Sequence, residues 1–332
     1  MLERPHDVTD ATFHEAPAAP AREAEWRDYL DLMKPRVMSL VVFTAIVGML
    51  AAPADLNPVL ALASIIAIAV GAGASGALNM WWDSDIDAKM TRTRLRPVAA
   101  GLVPREEALM LGLTLSALSV TTLALSGGYL AAGLLAFTIL FYAVVYTMWL
   151  KRSTPQNIVI GGLAGALPPA VAWAATGAPL TLDPWLMVAI IFLWTPPHFW
   201  ALCLYKAGDY AAAGIPMLPN VAGAAETRRQ IWLYSLVLAP VGFAPVLTGM
   251  GGVLYAVTAG ACGAVFVLLA WRVYRSQAGE SRSSADEQTL YAVGAGNRAA
   301  RDLFAFSLLY LAAVFAALLA EHGFGLHLPV SP

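Results

Sequence analysis

Nine stretches of this sequence are each long and apolar enough to cross a lipid bilayer, and that restricts the fold more than any motif does. A membrane-spanning helix needs about 20 mainly apolar residues. The candidates fall near residues 37–54, 58–82, 105–126, 128–150, 156–177, 184–206, 230–249, 252–272 and 301–321. Backbone polar groups in hydrocarbon must be satisfied within their own segment, so such stretches become helices. The expected fold is therefore an all-α, polytopic membrane protein with nine transmembrane helices. Only 13% of the chain is charged, against about 25% in a soluble domain. The third and fourth spans are separated only by the Gly127–Gly128 region, which predicts a tight helical hairpin. A polar segment, residues 276–288, is expected to form a mobile loop before the last span.

Charge placement predicts the orientation. With a cytoplasmic N-terminus, the connections at 83–104, 151–155, 206–229 and 272–301 also face the cytoplasm. All 20 Lys and Arg residues then lie on that side, as the positive-inside rule requires. The C-terminus lies outside. Three regions follow: a polar cytoplasmic tail over 1–36, an intramembrane domain over 37–321 and a short external tail over 322–332. The first 36 residues lack an apolar signal core, and their acidity argues against a mitochondrial transit peptide. A bacterial inner membrane is the expected location. Cys203 and Cys262 both sit in apolar runs, without the spacing of a metal site or disulfide framework.

Helix breakers interrupt several spans: Pro168-Pro169, Pro196-Pro197, Pro240 and Pro245. They read either as tolerated kinks or as the walls of a widened pocket. Gly71, Gly73, Ser75 and Gly76 form a patch suited to close helix packing.

Chemistry concentrates at the predicted cytoplasmic ends. Asn79, Asp83 and Asp87 recur every four residues, so on a helix they share nearly one face. Oxygen ligands of this kind suit Mg²⁺, which takes one or two carboxylates plus substrate phosphates. Asp85, between them, is expected to be merely solvated, while Trp81 and Trp82 lie at interfacial depth. Lys89, Arg92, Arg94 and Arg96 follow. Alone they would serve as membrane anchors; beside the carboxylates they form a site for a diphosphate. A second group, Lys151, Arg152, Thr154 and Asn157, lies at the end of the fourth span. The two cations are anchors or phosphate ligands, and Thr154 and Asn157, around Pro155, are placed to cap the fifth helix, whose N-terminus favours anions. A third group runs through Trp194, His198, Phe199 and Trp200 to Asp209 and Tyr210. His198 is the one histidine inside a span, which marks either a functional group or a core histidine bonded to a carbonyl. With its aromatic neighbours it suits a large flat ligand, and Asp209 offers a carboxylate for a second Mg²⁺.

The run Asn79-xxx-Asp83-xxx-Asp87 followed by TRTRLRPVAAG resembles the first aspartate-rich motif of the UbiA-type intramembrane prenyltransferase superfamily. LKRSTPQNIVIGG and WTPPHFWAL…DYAAAGIPMLP resemble its heme-farnesylating branch, the heme O synthases. Where the superfamily's second motif usually carries several aspartates, this chain has Asp209 beside Gly208. The resemblance implies helices around a central cavity and transfer of a farnesyl group from farnesyl diphosphate to a vinyl group of heme b. The products are heme O and diphosphate. It implies that Asn79, Asp83 and Asp87, with Asp209, hold Mg²⁺, and that Arg92, Arg96, Lys151 and Arg152 neutralise phosphate oxygens. The bilayer and a downstream heme A synthase are the implied partners; no nucleic acid is. Two alternatives stay open: the same transfer onto a quinone-precursor ring, and a transporter built on broken helices.

Overall fold

The computed structural model describes residues 22–55, 57–280 and 294–330. Its elements are α1 (Trp26–Leu32), α2 (Pro35–Ala51), α3 (Pro58–Trp82), α4 (Ser84–Asp87) and α5 (Arg105–Leu140). A π-helical stretch (Phe141–Leu150) and α6 (Lys151–Ser153) continue α5. There follow α7 (Asn157–Ala166), α8 (Pro168–Ala175), α9 (Leu182–Ala212), α10 (Leu218–Val221), α11 (Gly223–Thr248), α12 (Val253–Arg275) and α13 (Arg298–Gly323). The polar stretch predicted as a loop at 276–288 falls mostly outside the described residues.

Each long helix has a local reason to start and stop. The Asn57 side chain accepts hydrogen bonds from Val59 N and Leu60 N at 3.0 and 3.2 Å, and Pro58 occupies the first turn of α3, where a missing N–H does no harm. Its 25 residues make a rod of about 37 Å, enough to cross a bilayer and emerge. Pro168-Pro169 ends α7 and begins α8, so the fifth predicted span is two helices in line. Pro196-Pro197 instead lies inside a continuous α9, which leaves helical geometry only at Lys206.

Among the described residues, seven helices are long and apolar enough to cross a membrane, or eight when α1 and α2, bent by 52°, count as one span. Nine spans were predicted. The difference lies at Gly127–Gly128, where residues 105–153 run as one 49-residue helical stretch. A straight helix of that length would measure about 74 Å, more than twice the hydrocarbon thickness. The stretch is not straight: Gly128 has φ 84° and ψ 168°, open to glycine and hostile to other residues. Leu109, Leu113 and Val120 before it line one groove together with Leu140, Val144 and Met148 after it. The two arms thus run back along each other, as the hairpin expectation required.

Small residues set the closest crossings. A Cβ on Gly48 of α2 would lie 2.6 Å from Pro169 Cα of α8, and one on Gly73 would lie 2.6 Å from Met33 Cε. An apolar cavity of about 140 Å³ lies between α2, α3, α5, α7 and α8. Gly71, Ala72, Ser75 and Gly76 of α3 line it, facing Leu135, Ile139 and Tyr142 across it. At the opposite end from the charged loops, the buried Glu321 carboxylate accepts hydrogen bonds from Gly252 N and Tyr255 N, at 2.7 and 2.8 Å. It thereby satisfies free donors at the start of α12.

The Gly48–Pro169 crossing is testable. Gly48→Val should destabilise the protein by about 1–3 kcal/mol or more, read as a lower midpoint of thermal unfolding in detergent. An unchanged midpoint would mean that α2 and α8 do not meet there.

Candidate active site at the polar end of the bundle

The acidic stripe emerges where α3 ends. Asn79 and Asp83 lie on the last turn of α3 and its cap, and Asp87 closes the short α4 that continues it. All three are buried, with relative exposures of 3%, 0% and 2%. Three buried polar groups in an apolar bundle need partners, and the partners come from distant parts of the chain. Lys34 Nζ donates to Asn79 Oδ1 at 2.5 Å, and Asn79 Nδ2 donates to Asp83 Oδ2 at 2.7 Å and to Thr147 Oγ1 at 3.1 Å. Lys151 Nζ reaches Asp83 Oδ2 at 2.5 Å. Arg96 Nη1 donates to both oxygens of Asp87, at 3.0 and 2.8 Å. The Thr93 hydroxyl fixes the loop back onto Asp87 O at 2.9 Å.

The predicted basic ligands separate into two groups. Arg96, Lys151 and Arg152 join the acids. Lys89, Arg92 and Arg94 stay on the exposed rim, where Arg92 Nη2 donates to Tyr210 Oη at 3.3 Å. Asp85 is not merely solvated, because Arg152 grips it with two hydrogen bonds of 2.9 and 2.7 Å while also donating to Trp82 O. Those bonds hold the Asp85 carboxyl below the usual carboxylate range. The capping expectation at α7 also changes. Thr154 Oγ1 accepts from Gln156 N at 3.2 Å in a turn ahead of the helix, and Asn157 Nδ2 donates to Thr154 O at 2.6 Å. Neither side chain caps α7, whose N-cap residue is Gln156.

The third constellation divides because successive residues on a helix turn about 100°. Trp194 and His198 face α13: His198 stacks on Trp194 and on Phe304, with ring centroids 4.2 and 4.8 Å apart. Phe199 and Tyr210 face the other way, packing with Ile86, Met90 and Ile158 under the acidic loop. Trp200 is fully buried and meets Tyr234 of α11 edge-on. Asp209 is half-buried beside Tyr210, at the edge of the same cluster.

Lys34 is the main addition to the predicted site. It precedes Pro35 and holds φ 52° and ψ 54°, the one non-glycine residue in the left-handed region among those described. That conformation costs about 1–2 kcal/mol, and it turns the chain between α1 and α2 so that the ammonium reaches Asn79. The only sequence signal was a lysine before a proline at the head of the first span. Thr147 and Ser307, each buried inside an apolar helix, gave no signal beyond being polar.

Four basic side chains (Lys34, Arg96, Lys151 and Arg152) meet three carboxylates (Asp83, Asp85 and Asp87) before the rim is included. Such a surplus suits a polyanion. Asp83 Oδ1 is buried without a hydrogen-bond partner, and the donor set is all oxygen. Among the described residues, no group of three or more His, Cys, Asp or Glu could hold a metal ion alone. Asp83 and Asp87 offer the one or two carboxylates through which Mg²⁺ is bound, its shell being completed by substrate phosphates and water.

Comparison with known proteins points the same way. The UbiA prenyltransferase family matches residues 41–289. Protoheme IX farnesyltransferase of Caulobacter vibrioides is 64% identical over 304 residues, covering 90% of this chain and 91% of that protein. The protein of that name from Maricaulis maris is 59% identical over 317 residues, covering 96% of each. Among solved structures, a digeranylgeranylglyceryl phosphate synthase aligns with a TM-score of 0.70 at 14% identity, over 89% of this chain and 97% of that one. A UbiA homolog from Archaeoglobus fulgidus bound to GPP and Mg²⁺ aligns with a TM-score of 0.62 at 16% identity, over 88% and 99%. At these identities the structures establish the fold.

The Lys151–Asp83 pair makes a clean test of the network. Lys151→Met leaves a buried carboxylate short of a partner and should cost about 3–5 kcal/mol of stability. Adding Asp83→Asn should recover most of that loss, seen as strong coupling in a double-mutant cycle. Additive losses would show that the two groups do not meet.

Proposed function

The chain belongs to the UbiA prenyltransferase family, and from that premise we propose that it transfers the farnesyl group of farnesyl diphosphate to a vinyl group of heme b, giving heme O and diphosphate. One observation carries the reading. Gly71, Ser75, Asn79, Asp83 and Asp87 follow one another four residues apart, a line that winds about 40° around the helix at each step. Its first two members line the apolar cavity and its last three hold the buried charge network. A molecule with a diphosphate head and a long hydrocarbon tail matches both ends of that line. The names of the close relatives supply the acceptor.

In this reading Asn79 Oδ1, Asp83 and Asp87 hold Mg²⁺ against the diphosphate, with Asp209 approaching from the end of α9. When bound, the ion supplies Lewis-acid stabilisation of the leaving group. Lys34, Lys151 and Arg96 neutralise the remaining oxygens as the allylic C–O bond breaks, with Arg92, Lys89 and Arg94 drawing the anion in from the rim. Arg152, tied to Asp85 and Trp82, braces the site more than it binds. Thr154 and Asn157 shape the turn beneath Lys151. Cavity walls of Leu135, Ile139 and Val171 keep bulk water from the allylic cation. The terminal vinyl carbon of heme forms the new bond to C1 of the farnesyl unit as diphosphate leaves, and one water adds its hydroxyl to the other vinyl carbon and releases a proton. His198, with Trp194 stacked on it, faces the acceptor, while Phe199 and Tyr210 pack beneath the acidic loop and Trp200 supports α9 from within the core. The bias of Lys and Arg toward one side supports a cytoplasmic active site, read here in a bacterial inner membrane, with a downstream heme A synthase as the consumer of the farnesylated product.

Purified protein given farnesyl diphosphate, heme b and Mg²⁺ should yield a porphyrin heavier by one farnesyl and one hydroxyl, read by mass. Product on a quinone-precursor ring and none on heme would reassign the acceptor. Asp83→Ala and Asp87→Ala should each lower turnover by at least about 100-fold, and metal-independent turnover would overturn the role given to the acids. Ser75→Leu, which fills the cavity below Asn79, should raise KM for farnesyl diphosphate while leaving affinity for inorganic pyrophosphate unchanged. An equal loss of both would place the tail elsewhere.

A further inference from the structure

We infer that Ser307 locks His198 in its Nδ1–H tautomer, leaving Nε2 to bind the iron of the heme substrate; the inference rests on the reading of heme as acceptor. Ser307 Oγ lies 2.6 Å from Phe304 O and 2.6 Å from His198 Nδ1. A hydroxyl carries one proton, and a carbonyl oxygen can only accept. If that proton pointed at His198, two oxygen lone pairs would face each other across 2.6 Å. The proton therefore goes to Phe304 O, and His198 donates Nδ1–H to Ser307 Oγ. The imidazole Nε2 keeps its lone pair.

The surroundings hold that state in place. Trp194 covers one face of the imidazole and Phe304 the other, with interplanar angles of 16° and 21°. Trp194 is itself anchored by its Nε1 donating to Ser307 O at 2.7 Å. Both faces and the Nδ1 edge are thus occupied, yet His198 keeps accessible surface. Nε2 carries no hydrogen bond and is not fully covered. A histidine oriented by a hydrogen bond on one nitrogen and open at the other is the arrangement that metal-ligating histidines require. Ser307 is a positioning residue here, acting on the substrate only through His198.

The test uses full-length protein in detergent, titrated anaerobically with ferrous heme b and separately with metal-free protoporphyrin IX. The wild-type protein should show the absorption spectrum of histidine-ligated heme and should prefer heme over the metal-free porphyrin by at least about 10-fold. His198→Ala should lose both, and added imidazole should restore the spectrum. Ser307→Ala should weaken heme binding by about 10- to 100-fold, whereas Ser307→Thr, which keeps the hydroxyl, should stay near wild type. Unchanged affinity for inorganic pyrophosphate in each variant shows that the fold is intact. A wild-type spectrum and preference in His198→Ala overturn the ligation, and wild-type heme affinity in Ser307→Ala overturns the positioning role. The reading of heme as acceptor fails separately, on the product assay above, if the wild-type protein binds heme yet attaches no farnesyl to it.

Discussion

The arrangement depends on one constraint: Asp83 is a carboxylate with no exposed surface in a bundle made largely of hydrocarbon. Taking a charge out of water costs several kcal/mol even after relaxation, and only close opposite charge with good hydrogen bonds offsets it. The chain meets that demand by drawing Lys151 from the end of the hairpin, Asn79 from the preceding turn and, at 3.6 Å, Arg152 onto one side chain. Lys34 reaches the same cluster through Asn79. The α1–α2 corner, the end of α3 and the end of the hairpin are therefore held together by charge as well as by packing.

The same helix carries the second half of the design. Four residues on α3 advance about 6 Å and turn about 40° past a full circle, so the line from Gly71 to Asp83 winds from the cavity wall to the charged mouth. Small side chains at Gly71 and Ser75 leave room where the acids above them supply charge. The π-helical stretch Phe141–Leu150 lies opposite, with Tyr142 on the cavity and Thr147 on Asn79. Wider helical turns recur at functional sites. Here the wider turns bring one polar contact to the network from a stretch otherwise apolar.

Much of this was legible in the sequence because it rests on short-range regularities. Apolar runs located the helices, and the four-residue spacing put Asn79, Asp83 and Asp87 on one face. What could not be read were contacts decided by the way helices assemble. Lys34 meets Asn79 only because a left-handed residue bends the chain between α1 and α2. Asp85 looked solvated because its partner, Arg152, is 67 residues away. The third constellation looked like one aromatic pocket, since adjacency along the chain hides the 100° step that sends Trp194 and His198, Phe199, and Trp200 toward three different neighbours. The span count differed for a related reason: Gly128 reverses the chain within a single residue, too tightly to interrupt the helical pattern on either side.

Lysine, rather than arginine, stands at the two innermost cationic positions, and the chemistry of the side chain gives a reason. Arg96 and Arg152 each hold a carboxylate with paired hydrogen bonds, a fixed geometry that suits bracing. Lys34 and Lys151 present compact charges on flexible stems, each touching the acid row at a single oxygen. A group that must cover a buried acid when no ligand is present, and release it when a cation and a diphosphate arrive, needs to move a short distance without losing its charge. Two ammonium groups can exchange the Asn79 and Asp83 oxygens for phosphate oxygens by rotating their side chains alone. Two guanidinium forks in the same positions would have to break paired bonds first. The resting network thus protects the acids from bare burial while leaving them open to substitution, which a site that binds and releases diphosphate in every turnover requires.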